Sequence, residues 1–170
     1  MIRYFFFTCL VLALSFSNVH AYETENKLIA VIIGKVSKFV TWKTSDNTTF
    51  NITILNNPFG SLLETIYKNK KIKNKSVEVN YIENIEQLSE NTQVLYIANV
   101  SHVQLALILK AVAGKNILTI SDSRGFAERE GIIQISFISQ KVKLKINRKI
   151  SQQENLTISS SLLKIAKLVG

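Results

Sequence analysis

Cysteine is nearly missing from this 170-residue sequence: Cys9 is the only one, and it lies in an apolar leader. A chain without that leader has no disulfide, no thiol nucleophile and no thiolate-held metal. Histidine is almost as scarce, with His20 in the leader and His102 beyond it, and aspartate occurs only at Asp46 and Asp122. One histidine cannot supply a two-histidine zinc motif, and no Ser-His-Asp order can be built without it. No serine sits in a nucleophile elbow. His102 falls at a helix start, where a surface or capping role is favoured over that of a lone acid or base. Proline occurs once, at Pro58, and the six glycines form no glycine-rich phosphate fingerprint. No apolar run reaches the ~20 residues of a membrane-spanning helix. Neither a repeat, a linker nor a low-complexity tract interrupts the chain.

The first 21 residues read as a secretory signal. Arg3 gives the positive start, Tyr4 to Phe16 is apolar apart from Thr8, Cys9 and Ser15, and Val19-His20-Ala21 suits a signal peptidase. Cleavage after Ala21 and a periplasmic mature chain are expected, in preference to an uncleaved anchor. Thr8 is not the small residue that a lipoprotein site wants before its cysteine. The expected organisation is therefore a signal peptide over 1–21 and one domain over 22–170. Basic side chains outnumber acidic ones by 21 to 12, and without Arg3 the 20 remaining give a net charge of +8. Outside the cytoplasm nucleic acid is not an expected partner, and the Asn, Ile and Lys content also fits an AT-rich genome.

Lys27 to Trp42 follows a 3.6-residue apolar period through Ile29, Ile33, Val36 and Val40, which predicts a buried helix ending at Trp42, read as a packing aromatic. Phe50 to Leu55 predicts a strand stopped by Asn56-Asn57-Pro58. A helix from Phe59 to Asn69 should follow, with Pro58 in its first turn, Asn56 or Asn57 as its cap, and Gly60 within the turn. Lys68 to Lys75 is a basic run, read as a solvated loop, with lipid head groups or an acidic partner as the alternative. Val77 to Tyr81 alternates as a strand, Asn84 caps a short turn, and Val94 to Ala98 is a continuous apolar strand. Asn99 to Ser101 caps a helix over His102 to Ala113, which Gly114 ends. A last helix from about Ser159 should bury Leu162, Leu163, Ala166 and Val169.

The stretch Asn116 to Asn147 carries the candidate site. Ile117 to Ile120 predicts a strand buried on both faces, and Ile133, Ile135, Phe137, Val142, Leu144 and Ile146 predict a hairpin. Lys141, Lys143 and Lys145 form the hairpin's solvent face and guard its edge. Between them lies a polar loop, Ser121 to Glu130, where α/β sheets place their sites. Asp122 is expected to cap a helix carrying Phe126 and Ala127. Arg124, Phe126 as an exposed aromatic, Glu128, Arg129 and Glu130 are the candidate contacts for a partner or ligand, with mutual ion pairing favoured over acid–base catalysis. Strands alternating with helices predict one α/β domain: a mixed, mostly parallel sheet of about six strands flanked by helices, with a C-terminal antiparallel hairpin and a terminal helix.

An ordered set of motifs resembles the YfiR-like family of small periplasmic proteins: Phe39-Val40-Thr41-Trp42, Ile54 to Gly60, Val94 to Ile97, the ILTISD…GFAE…GII…IN series from Ile117 to Asn147, and Leu156, Ser159-Ser160, Leu162-Leu163 and Ala166. The resemblance marks Trp42, Pro58, Gly60, Asp122, Gly125, Gly131 and Asn147 as structural positions. It departs at Lys43, where members often have proline, and at Glu130, where they often have the first of two glycines. It implies a regulatory protein with no catalytic residues, metal or cofactor, which binds the periplasmic domain of an inner-membrane diguanylate cyclase and lowers cyclic-di-GMP signalling. An outer-membrane lipoprotein as sequestering partner, and a homodimer, go with that reading. A periplasmic small-ligand-binding or sensory module serving a receptor, kinase or transporter is the alternative; a small hydrolase lacks the residues.

Overall fold

The computed structural model describes residues 24–43, 47–139 and 141–170. The leader with its expected cleavage site lies outside them, as does Asp46. The described residues open with helix α1 over 24–38, followed by strand β1 (Val40–Trp42). Next come β2 (Thr49–Leu55), α2 (Leu62–Tyr67), β3 (Lys71–Ile72), β4 (Lys75–Ile82), β5 (Thr92–Ile97), α3 (His102–Val112) and β6 (Leu118–Ser121). The hairpin β7 (Ile133–Ile138) and β8 (Lys141–Asn147) follows, then α4 (Arg148–Gln153), β9 (Leu156–Ile158), α5 (Ser160–Ile165) and β10 (Lys167–Val169).

Among the described residues, eight strands form one sheet in the order β10-β8-β7-β6-β5-β2-β4-β3. Only β3–β4 and β7–β8 pair antiparallel; the other neighbours run parallel. β5 at the centre is buried along its whole length, as the continuous apolar run Val94-Leu95-Tyr96-Ile97 requires. One face packs Ile52, Ile54, Tyr96, Ile120 and Ile133 against Ile29, Ile33 and Val36 of α1. The other places Leu95 and Ile97 beneath Leu105, Leu109 and Val112 of α3. Separately, β1 and β9 make a two-stranded antiparallel ribbon.

Several expectations need correction. The sheet has eight strands rather than about six, because tertiary pairing recruits short segments without strong patterns of their own. The helix predicted to reach Trp42 ends at residue 38, and Trp42 lies in β1, where pairing with Leu156 overrides the helical period. The second helix begins at Leu62 rather than Phe59. Asn57 turns the chain instead of capping it, accepting from the Phe59 amide at 2.8 Å and donating to the Gly60 carbonyl at 2.8 Å. Pro58 precedes the helix, and its carbonyl accepts from Asn26 Nδ2 at 3.1 Å. The basic run is not all loop: Lys71 and Ile72 pair with β4 across a turn at Lys73 and Asn74, both left-handed. The terminal helix stops at Ile165, and the last residues become β10, laid parallel along β8. That strand covers the Lys145 to Asn147 end of the edge which the hairpin lysines were expected to guard. Val103 and Ala106 of α3, whose apolar side chains would suit an inward face, are exposed to solvent.

Candidate functional site

The carboxyl edge of the sheet gathers the loops after β2, β5 and β6. Reading the parallel strands as β4-β2-β5-β6-β7, the order reverses between β2 and β5, so the topological switch point lies there and not after β6. That crevice is filled. Asn56 Nδ2 donates to the Ala98 carbonyl at 3.2 Å, and the buried Phe59 ring packs on Tyr96 with centroids 5.1 Å apart. The loop after β6 stands one strand away. Ser121 Oγ donates to the Ile97 carbonyl at 2.6 Å and accepts from the Ser123 amide at 3.1 Å, so Ser121 shapes the turn. Asp122, expected as a helix cap, is exposed.

From there the chain makes a single 3-10 turn, Ala127–Arg129, over the hairpin. Asn147 clamps it, with Nδ2 donating to the Ala127 carbonyl at 2.9 Å and Oδ1 accepting from the Ile150 amide at 3.0 Å. Phe126 is fully buried rather than exposed, part of the core under α3. It cannot anchor a partner, and what admits its ring is Gly131: a Cβ there would overlap the ring. Glu130 takes the left-handed conformation, φ 70°, that a glycine would hold without strain.

The charged residues do not pair as their alternation suggested. Glu128 Oε1 accepts from Lys145 Nζ of β8 at 2.6 Å. That hydrogen bond, outweighing partial desolvation, holds the Glu128 carboxyl below its ordinary range. Lys145 is consequently half-buried and drawn out of the solvent face assigned to it. Arg129 Nη1 donates to the Arg124 carbonyl at 2.9 Å, across the Gly125 turn. Arg124, Arg129 and Glu130 are all exposed. The arrangement presents two guanidinium groups on a backbone fixed from three sides. It holds no buried acid–base pair, and no group of three His, Cys, Asp or Glu side chains able to hold a metal occurs among the described residues.

Sequence reasoning missed two surfaces. The outer face of α3 exposes Val103 (73%) and Leu107 (63%), and the hairpin tip with the C-terminal segment exposes Ile138 (59%) and Ile165 (75%). The all-round apolar character of α3 was the available signal. Cavities are small. One of about 120 Å³ lies beneath Glu130, floored by Leu109, Ile117 and Ile132. Others of about 170 Å³ lie beside Trp42 and beside Lys35.

A family model described as YfiR/HmsC-like matches residues 26–167. The chain belongs to the YfiR/HmsC-like family. Membership supports a regulatory protein of the periplasm in cyclic-di-GMP signalling, from a family that is not catalytic. No curated protein matches the chain. Among solved structures it is similar to an ABC domain in complex with L-Trp from Streptococcus pneumoniae, at 13% identity and a TM-score of 0.55 over 82% of this chain. It is also similar to a conserved domain protein from Vibrio cholerae, at 12% identity and a TM-score of 0.55 over 85% of this chain. The chain spans 60% of the length of each, and the likeness is one of fold. No helix among the described residues is long and apolar enough to cross a membrane.

Proposed function

We propose that this YfiR/HmsC-like chain is secreted with cleavage after Ala21 and represses an inner-membrane diguanylate cyclase by binding its periplasmic domain. The observation that carries the reading is the family match across residues 26–167. Binding one of two states of the membrane partner more tightly shifts its population, with no chemistry required of the repressor. Arg124, Arg129 and Glu130 are the proposed contacts, with Glu128 holding the loop to the hairpin. Arginine is among the usual interface anchors, and here both stand on a braced turn. Sequestration by an outer-membrane lipoprotein and assembly as a homodimer belong to the same proposal. A small-ligand module is less well supported, because cavities of about 120–170 Å³ fall short of the ~300 Å³ at which ligand pockets begin.

The test is an Arg124→Ala/Arg129→Ala variant in cells that carry the cyclase. Cyclic-di-GMP should rise while the protein stays folded and abundant in the periplasm. Full repression by that variant, with loss on Lys141→Ala/Lys143→Ala, would move the interface to the hairpin. Lys145 is left out of the comparison because its loss also frees Glu128.

A further inference from the structure

Two stretches far apart in the sequence meet at the β3 end of the sheet. Lys35 and Lys38 come from α1, and Lys70 and Lys71 from the basic run. Together they rim one shallow groove of about 170 Å³, floored by Ile66 and Ile72. All four lysines are exposed. Beyond the tight turn at Lys73 and Asn74, Lys73 and Lys75 border a second groove of about 170 Å³, floored by Trp42 and Phe50. The nearest carboxylate on α2, Glu64, accepts from the Tyr81 hydroxyl at 2.6 Å. Phe39, next to Lys38 in the chain, leaves 44% of its surface in water.

Both grooves are too small to enclose a metabolite. Their cations are all lysine. Protein–protein interfaces favour arginine and are depleted in lysine, since the planar guanidinium fork grips a carboxylate in a fixed geometry. Lysine is a hydrated point charge on a long apolar stem. It suits a diffuse field of anions above an apolar layer, with the stem lying along apolar surface and the ammonium at head-group level. We propose that this edge docks the protein on an anionic phospholipid surface, with Lys35, Lys38, Lys70 and Lys71 over the head groups. The inference uses the periplasmic setting of the family and is independent of the cyclase reading.

The mature chain, from Tyr22, is sedimented with vesicles of phosphatidylglycerol and phosphatidylethanolamine, and with vesicles of phosphatidylcholine alone. Binding should occur only to the first and weaken as salt rises. Trp42 is the only tryptophan and lines the second groove, so its emission in the unmodified protein should shift to the blue as vesicles bind. Each lysine removed should weaken binding by about five-fold, and Lys35→Gln/Lys38→Gln/Lys70→Gln/Lys71→Gln by several hundred-fold. A variant losing the same charge elsewhere, Lys110→Gln/Lys115→Gln/Lys141→Gln/Lys143→Gln, should bind as the parent does. Equal loss in both variants would reduce the effect to net charge and overturn the proposal, as would the absence of vesicle binding by the unmodified protein. If soluble polyglutamate binds the four-lysine edge in preference to the vesicles, an acidic protein segment is the ligand and the membrane proposal fails.

Discussion

Replacing Gly131 by alanine tests how the candidate loop is built. The added Cβ would overlap Phe126 at Cε1 and Cδ1. Neither side can withdraw freely: Phe126 is 0% exposed, and the Gly131 amide donates to the Phe126 carbonyl at 3.0 Å. Overpacking of this kind costs about 1–3 kcal/mol. At about 2–4 °C per kcal/mol for a chain of this size, the melting temperature should fall by roughly 2–12 °C. Phe126→Leu removes the ring edge and should cost less than the about 3–5 kcal/mol of truncation to alanine. In the double variant the freed space accepts the new Cβ, so the combined loss should fall short of the sum by about 1 kcal/mol or more. Urea denaturation at unchanged m measures all three. Strict additivity, or a neutral Gly131→Ala, would refute the packing argument. The result also bears on the proposed function: a Phe126 variant that lost repression would report a disordered loop, whereas the arginine double variant would report a lost contact.

Glu130→Gly should leave stability unchanged or raise it by up to about 1 kcal/mol, because the left-handed backbone at φ 70° suits glycine; Glu130→Val should lower it by more than about 1 kcal/mol in the same denaturation assay. Glu154→Ala should cost about 2–3 kcal/mol and speed amide exchange at Gly114 and Asn116, whose N–H groups donate to its carboxylate at 2.7 and 3.2 Å. Tyr67 gives a pH dependence. Burial, opposed by the Gly34 backbone, pushes its phenol up to about 12 from an ordinary value of 10.0. The folded state thus keeps a proton that the unfolded chain releases, so this contribution is intact below pH 10 and is lost as pH rises from about 10 to 12. Tyr67→Phe should flatten the alkaline fall in urea midpoint, at a neutral-pH cost of about 1 kcal/mol for the bond its hydroxyl gives the Ala30 carbonyl at 2.6 Å.

What could be read in advance was whatever one face of one element dictates. The buried run of β5, the alternation of β7 and β8 and the capping box of α3 each follow from neighbours within a few residues. The missed features depend on partners far along the chain. Val40 to Trp42 prolongs a helical period, and only the distant Leu156 to Ile158 makes it a strand. Lys167 to Val169 lacks a pattern of its own and is extended because β8 offers an open edge. In the loop, residue types located the arginines but could not orient Phe126. An aromatic in a polar segment reads as exposed until Gly131 is seen to make room for it. The sign alternation of the charged cluster was legible, but Lys145, 17 residues from Glu128, was not foreseeable as the partner.

The β1–β9 ribbon sets an order of assembly. Val40 pairs with Ile158, so this contact closes a loop of 118 residues, and the Ser159 amide continues it by donating to the Phe39 carbonyl at 2.8 Å. Closing so long a span is slow and entropically costly unless the intervening chain is already compact. The parallel sheet is therefore expected to organise first and the ribbon to fasten last. By the same logic it opens first in the native state. Trp42, edge-on to Phe50 at 5.4 Å, lies on that fastening. Its fluorescence will follow a local opening of the ribbon, faster and less costly than unfolding of the sheet beneath it.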